Sequence, residues 1–192
     1  MLKLNRPPSP TCLEENGKRW TQEFVERRTE KPKFPFRWRD QACYKRIRDS
    51  LLEVTGRRCA YCDGSLGLTS RETVDHFRPK SSYPQFAYAW ENLFPCCDLC
   101  QSKKGERFEE GLLKTDEPEY EFSRYFILNF DTGEIEPAPD ATPEDQARAE
   151  TTCKMLGLNS AERNQARLRA LRNFERDPSA SLDGYSYRYF LV

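Results

Sequence analysis

Two cysteine pairs of identical spacing, Cys59-Ala-Tyr-Cys62 and Cys97-Asp-Leu-Cys100, bracket the only histidine of the chain, His76. A two-residue spacer turns the backbone into a tight knuckle, so each pair can present both sulfurs to one ion. Two such pairs complete the tetrahedral all-sulfur shell that structural zinc prefers. Cys96 adjoins the second pair, but only Cys97 stands at the two-residue spacing from Cys100. A zinc held by four thiolates has no open position, so Cys59, Cys62, Cys97 and Cys100 would fold the chain and leave the chemistry to other residues. A redox role for one pair would call for a neighbouring βαβ pattern, which the sequence lacks. Iron–sulfur ligation is the lesser alternative.

Those other residues cluster around His76. Taken alone, a histidine is more often a core or surface residue than a catalyst; here its neighbours decide. Asp75 precedes it, Arg78 and Lys80 follow it, and Lys103 and Lys104 follow the second knuckle. A neutral imidazole is the side chain best suited to take a proton from water near pH 7. A carboxylate beside it can hold a hard divalent cation. Arg78, Lys80, Lys103 and Lys104 are candidate phosphate contacts. Base, cation ligand and phosphate clamps are the parts that phosphodiester hydrolysis requires.

The series Cys59-x-x-Cys62, Asp75-His76-x-x-Pro79, Asn92-Leu93, Cys97-x-x-Cys100 and Lys104-Gly105 resembles the HNH endonucleases of the zinc-bracketed ββα-metal type. The fuller string Asp75-His-Phe-Arg-Pro-Lys80 is similar to a narrower group, as are Tyr83-Pro84, Trp90-x-Asn92-Leu93, Arg6-Pro7-Pro8-x-Pro10 and Lys104-Gly105-x-x-Phe108. That group is the PtuB-like HNH nucleases of retron and Septu anti-phage systems. The resemblance implies an α+β fold: a small ββα-metal core stapled by a four-cysteine zinc site, with appended helices and long loops. It implies His76 as general base, Asp75 as a Mg²⁺ or Mn²⁺ ligand, and Asn92 as the residue that holds the connecting loop and orients the histidine. The second cation ligand, Asn or His in the family, falls on Gln101, whose amide is one methylene longer. Gln101 could ligate through a shifted rotamer or a water, or could leave activity weak or absent.

The resemblance also implies partners. Nucleic acid is the substrate, with DNA the default and RNA, tRNA included, an open alternative. A PtuA-like ATPase is the expected companion, and in the retron setting a reverse transcriptase with its RNA–DNA product. The chain has no Gly-x-x-x-x-Gly-Lys-Ser/Thr loop, so ATP-dependent control would come from another subunit. A catalytically weakened binding protein and a zinc-folded scaffold subunit are the rival classes.

The elements that must position these residues read less sharply. Only 37% of residues are hydrophobic against 32% charged, so the core is modest and a metal staple is welcome. The chain shows no apolar run long enough for a membrane span and no apolar leader, and cytoplasmic residence is the expectation. Cys12, Cys43, Cys96 and Cys153 are expected as buried small hydrophobes. Residues 1–58 carry 15 Lys/Arg against 8 Asp/Glu, and residues 106–192 carry 11 against 18. A polyanion or an acidic partner surface would each suit the basic end.

Three segments are expected: a basic, proline-rich arm and helix over 1–55 that docks a partner, the nuclease core over 56–110, and a hairpin with helices over 111–192. Prolines at 7, 8, 10, 32 and 35 argue against a long helix in the first forty residues. A short amphipathic helix is expected over 44–55, a strand over 72–77, and aromatic core filling over 86–92. A further helix should begin near the second knuckle. Residues 125–137 read as a hairpin, and Thr142-Pro143 starts a helix that Gly157 ends. Asn159 with Glu162 suggests the N-terminus of a last helix to Arg176, whose five arginines suit a surface helix.

Overall fold

The computed structural model describes residues 1–67 and 70–191. It opens with a twenty-residue helix, α1 (Thr11–Glu30), where proline content had argued against one. The prolines bracket this helix: Pro10 sits at its N-cap and Pro32 lies just beyond its end, so none removes an internal hydrogen bond. α2 (Gln41–Val54) starts at Asp40, whose side chain accepts from the Cys43 backbone at 2.8 Å. It buries Cys43, Ile47, Leu51 and Leu52, each large aliphatic contributing about 1.5–3 kcal/mol. Gly56, at φ +60°, lets the chain leave the helix towards the first knuckle.

Cys12 and Cys43 are not independent small hydrophobes. They form a disulfide, with Cα atoms 5.8 Å apart, because the starts of α1 and α2 lie side by side. Cys96 and Cys153 remain free thiols.

β1 (Thr73–His76) pairs antiparallel with β2 (Leu93–Cys96). The register sets His76 opposite Leu93 and Thr73 opposite Cys96. The connection contains two single 3₁₀ turns, Pro84–Phe86 and Trp90–Asn92. α3 (Asp98–Lys104) follows β2 directly, with the Cys97 sulfur accepting from the Cys100 backbone at its N-terminus. Two strands and this helix make the expected ββα unit.

The C-terminal part begins with one turn, α4 (Phe122–Tyr125), and the hairpin of β3 (Phe126–Leu128) with β4 (Ile135–Pro137). Its turn depends on Gly133 at φ +78°, where a Cβ would collide with the Asn164 backbone carbonyl. α5 (Pro143–Leu156) is capped by the Thr142 hydroxyl and stopped by left-handed Gly157. α6 (Ala161–Arg176) has Ser160, not Asn159, at its N-cap. Asn159 is engaged with β4: its Oδ1 accepts from the Ile135 N–H at 2.9 Å and its Nδ2 donates to the Ile135 carbonyl at 2.7 Å. Nor is α6 simply a surface helix, because Arg163 and Arg167 are buried.

Two apolar clusters flank the ββα unit. One joins Trp20 and Phe24 of α1 to Ile47 and Leu51 of α2, with Tyr88 and Leu93. The larger joins Leu4 and Leu52 to Tyr61, Phe94, Tyr120 and Leu156, so residues of all three expected segments share it. No helix among the described residues is long and apolar enough to cross a membrane.

Candidate active site and metal centre

The two knuckles meet. The sulfurs of Cys59, Cys62, Cys97 and Cys100 all lie within 4.8 Å of one another and are buried. Cys62 and Cys97 stand 3.7 Å apart. Four zinc–sulfur bonds of about 2.3 Å in a tetrahedron would set sulfurs about 3.8 Å apart, so the donor set fits zinc. Cys96 is not one of the four: its thiol donates to the Cys97 carbonyl at 3.3 Å. Arg163 of α6 closes the site from outside, with Nη2 3.1 Å from the Cys100 sulfur. Nothing in the arginine-rich α6 sequence singled that residue out, apart from the four-residue spacing of Arg163 and Arg167, which puts both on one helix face.

The knuckles hold β1, β2 and α3 together, and this assembles a second site. Asp75, His76, Pro79, Gln101 and Glu106 line a cavity of about 200 Å³. Asp75 and His76 come from the end of β1, and Gln101 from α3, one residue after Cys100. His76 is buried, and its Nε2 lies 2.9 Å from the Ala87 carbonyl. A carbonyl only accepts, so Nε2 carries the proton and Nδ1 the lone pair. Burial, aided by the charge of Lys80, lowers the His76 pKa to about 4 and keeps the ring neutral. Two rings with no local sequence signal for this position fix its plane. Phe36 meets it edge-on at 5.2 Å and Trp38 stacks at 5.9 Å, both from the α1–α2 connection. The first segment, expected as a docking arm, therefore roofs the histidine.

Asp75 is buried, which raises its pKa, while Lys104 and Tyr61 act in the opposite direction. The Tyr61 hydroxyl donates to Oδ2 at 2.8 Å and Lys104 Nζ lies 3.1 Å from the same oxygen. Both engage one oxygen, Oδ2. Asn92 holds the β1–β2 connection. Its Oδ1 accepts from the Arg78 N–H at 2.7 Å, and its Nδ2 donates to the Arg78 and Phe86 carbonyls.

The expected phosphate contacts divide. Lys104 is not one: it is fully buried, pairs with Asp75 and donates to the His76 carbonyl at 2.7 Å. It occupies the α3 face that carries Cys100, four residues earlier, so it turns inward. Lys103 does not line the His76 cavity, and its stem lies against Gly157 at the end of α5. Lys80 does line it. Arg78 does not line it but faces a separate cavity, the guanidinium held among Phe108, Phe86 and Tyr83 at 5.2, 5.3 and 5.7 Å.

A sulfur-bracketed ββα unit that brings a neutral histidine, a carboxylate and an amide to one cavity matches the HNH endonuclease family model, over residues 59–107. The chain carries an HNH endonuclease domain. Among curated proteins it is 35% identical over 106 residues to the Septu protein PtuB of Bacillus thuringiensis, covering 55% of this chain and 37% of that one. It is 26% identical over 189 residues to the Septu protein PtuB of Bacillus mycoides (strain KBAB4), covering 82% and 61%. A candidate HNH endonuclease of retron Vc95 from Vibrio cholerae serotype O1 biovar El Tor is 26% identical over 126 residues, covering 62% and 60%. The chain thus spans between 37% and 61% of the length of these relatives. Their names support a defence-associated nuclease.

Proposed function

We propose that the protein is a metal-dependent HNH endonuclease that hydrolyses nucleic-acid phosphodiester bonds, with DNA the default substrate. The observation that carries this reading is the shared cavity of Asp75, neutral His76 and Gln101 beneath a roof of aromatic rings. His76 Nδ1 takes a proton from water as its oxygen attacks phosphorus. The bond from phosphorus to the leaving oxygen breaks, and that oxygen takes up a proton from solvent. The hydrogen bond from Nε2 to Ala87 supports the positive charge that forms on the ring. Asp75 Oδ1 and the Gln101 amide oxygen are the residues that would hold Mg²⁺ or Mn²⁺. When bound, the ion neutralises phosphate charge and stabilises the leaving oxygen. Lys80 and Arg78 are the cations offered to the substrate's backbone phosphates. Lys104 and Tyr61 orient the carboxylate without touching substrate.

The likeness to Septu and retron proteins supports a place in anti-phage defence beside a PtuA-like ATPase and, in a retron, a reverse transcriptase with its RNA–DNA product. Co-purification of the full chain with such an ATPase tests this placement, and absence of a complex at micromolar concentrations would reject it. Cleavage by wild type and His76→Ala with Mg²⁺ or Mn²⁺ tests the chemistry.

A further inference from the structure

Glu106 follows α3 and lies at the mouth of the His76 cavity, where it is the acidic partner of a turn that is otherwise built for anions. Its Oε1 accepts from Lys80 Nζ at 3.2 Å and its Oε2 from the Ser81 hydroxyl at 2.6 Å. Partial burial would raise the Glu106 pKa, but the hydrogen bond from Ser81 and the charge of Lys80 outweigh it and hold the carboxyl below its usual range. Lys80 and Glu106 also line a second cavity, of about 220 Å³, that opens next to the first. Its walls include Arg28 and Lys33 from the end of α1 and beyond. Arg28 Nη2 donates to the Ser81 carbonyl at 2.8 Å, so a second cation is anchored to the same turn. A hydroxyl and an ammonium converge on one carboxylate, with further cations behind them. The same donors would suit a phosphate oxygen.

We propose that Lys80 and Ser81, backed by Arg28 and Lys33, form a phosphate subsite for the strand beside the scissile bond, and that Glu106 fills this subsite as an internal anion until nucleic acid displaces it. The proposal rests on the endonuclease reading above and adds to it a subsite, with a built-in competitor, between the β1–β2 connection and the end of α1. Glu106 is exposed and joined to the turn by hydrogen bonds and charge alone, so it can swing away without disturbing the core.

The test uses the full zinc-loaded chain carrying His76→Ala, so that nucleic acid is bound without being cut. Affinity for duplex DNA and for a structured RNA is measured by fluorescence anisotropy over a salt series. Glu106→Gln is expected to bind at least one of them about fivefold to tenfold tighter, with the salt slope steeper by about one phosphate contact. Lys80→Ala should abolish that gain, and Glu144→Gln, an equal change of charge on α5, should not reproduce it. A separate arm follows the Ser81 amide by NMR during titration with inorganic phosphate. Glu106→Gln should show saturable shifts at lower phosphate than the parent. Nucleic-acid binding unchanged by Glu106→Gln, or a gain that survives Lys80→Ala, would overturn the subsite while leaving the nuclease reading intact. Phosphate shifts at Ser81 without nucleic-acid binding by any variant would overturn the strand subsite, leaving a site for free anions only.

Discussion

Arg163 and Cys100 lie 63 residues apart in sequence, and the guanidinium Nη2 of one sits 3.1 Å from the sulfur of the other. The same nitrogen lies 3.9 Å from the Cys97 sulfur, and Nη1 donates to the Leu156 carbonyl at 3.2 Å. A zinc with four thiolates carries a net charge of about −2. A buried cation facing two of the sulfurs offsets that charge and ties α6 to the metal centre.

Arg163→Met should therefore weaken zinc retention about tenfold to a hundredfold, the usual effect of removing an outer partner of a ligand. Competition with a chromophoric chelator measures it. Retention equal to wild type would mean that the arginine only fills space.

The Asp75–Lys104 pair makes a second prediction. Replacing Lys104 by Met leaves a carboxylate buried without its cation, and stability should fall by about 3–5 kcal/mol. Urea denaturation of the zinc-loaded protein gives the number. A change within about 0.5 kcal/mol is what an exposed phosphate-binding lysine would show, and it would refute the inward position.

How far these positions were readable depends on whether their signal is local. The knuckles, the Asp75-His76 pair and the Thr142-Pro143 helix start declare themselves within a few residues, and each appears where the sequence put it. Lys104 was legible in principle, since it shares a helix face with Cys100. Its chemical type suggested a surface role that the buried Asp75 overrides. The prolines near α1 flank the helix and do not interrupt it, because the twenty-one residues between Pro10 and Pro32 include none. Phe36 and Trp38 reach His76 across 40 and 38 residues, and no local pattern encodes such a contact. The Cys12–Cys43 disulfide likewise needs the helices to be packed before the two thiols become neighbours.

His76 is the chain's only histidine, so its ring gives unique NMR signals. Burial favours the neutral ring, so in protein without divalent cation those signals should stay constant from pH 7.5 to 5.5 and move only towards pH 4. The base is then unprotonated throughout the neutral range. An ordinary midpoint near 6.5 would show a solvated ring and contradict the roof of aromatic side chains.

Gln101 lines the cavity from α3. If its amide oxygen holds the cation, Gln101→Ala should raise the Mn²⁺ concentration for half-maximal cleavage about tenfold and leave the rate at saturating metal closer to wild type. An unchanged Mn²⁺ dependence would remove Gln101 from the ligand set.

In the proposed reaction His76 makes water attack a phosphodiester. The measurement is single-turnover cleavage of supercoiled plasmid DNA and of structured RNA in Mg²⁺ or Mn²⁺, by wild type and by His76→Ala of equal zinc content and melting temperature. Wild type is expected to cleave at least one substrate, and the variant to lose about 100-fold or more of that rate. Equal cleavage by both proteins would contradict that role for His76.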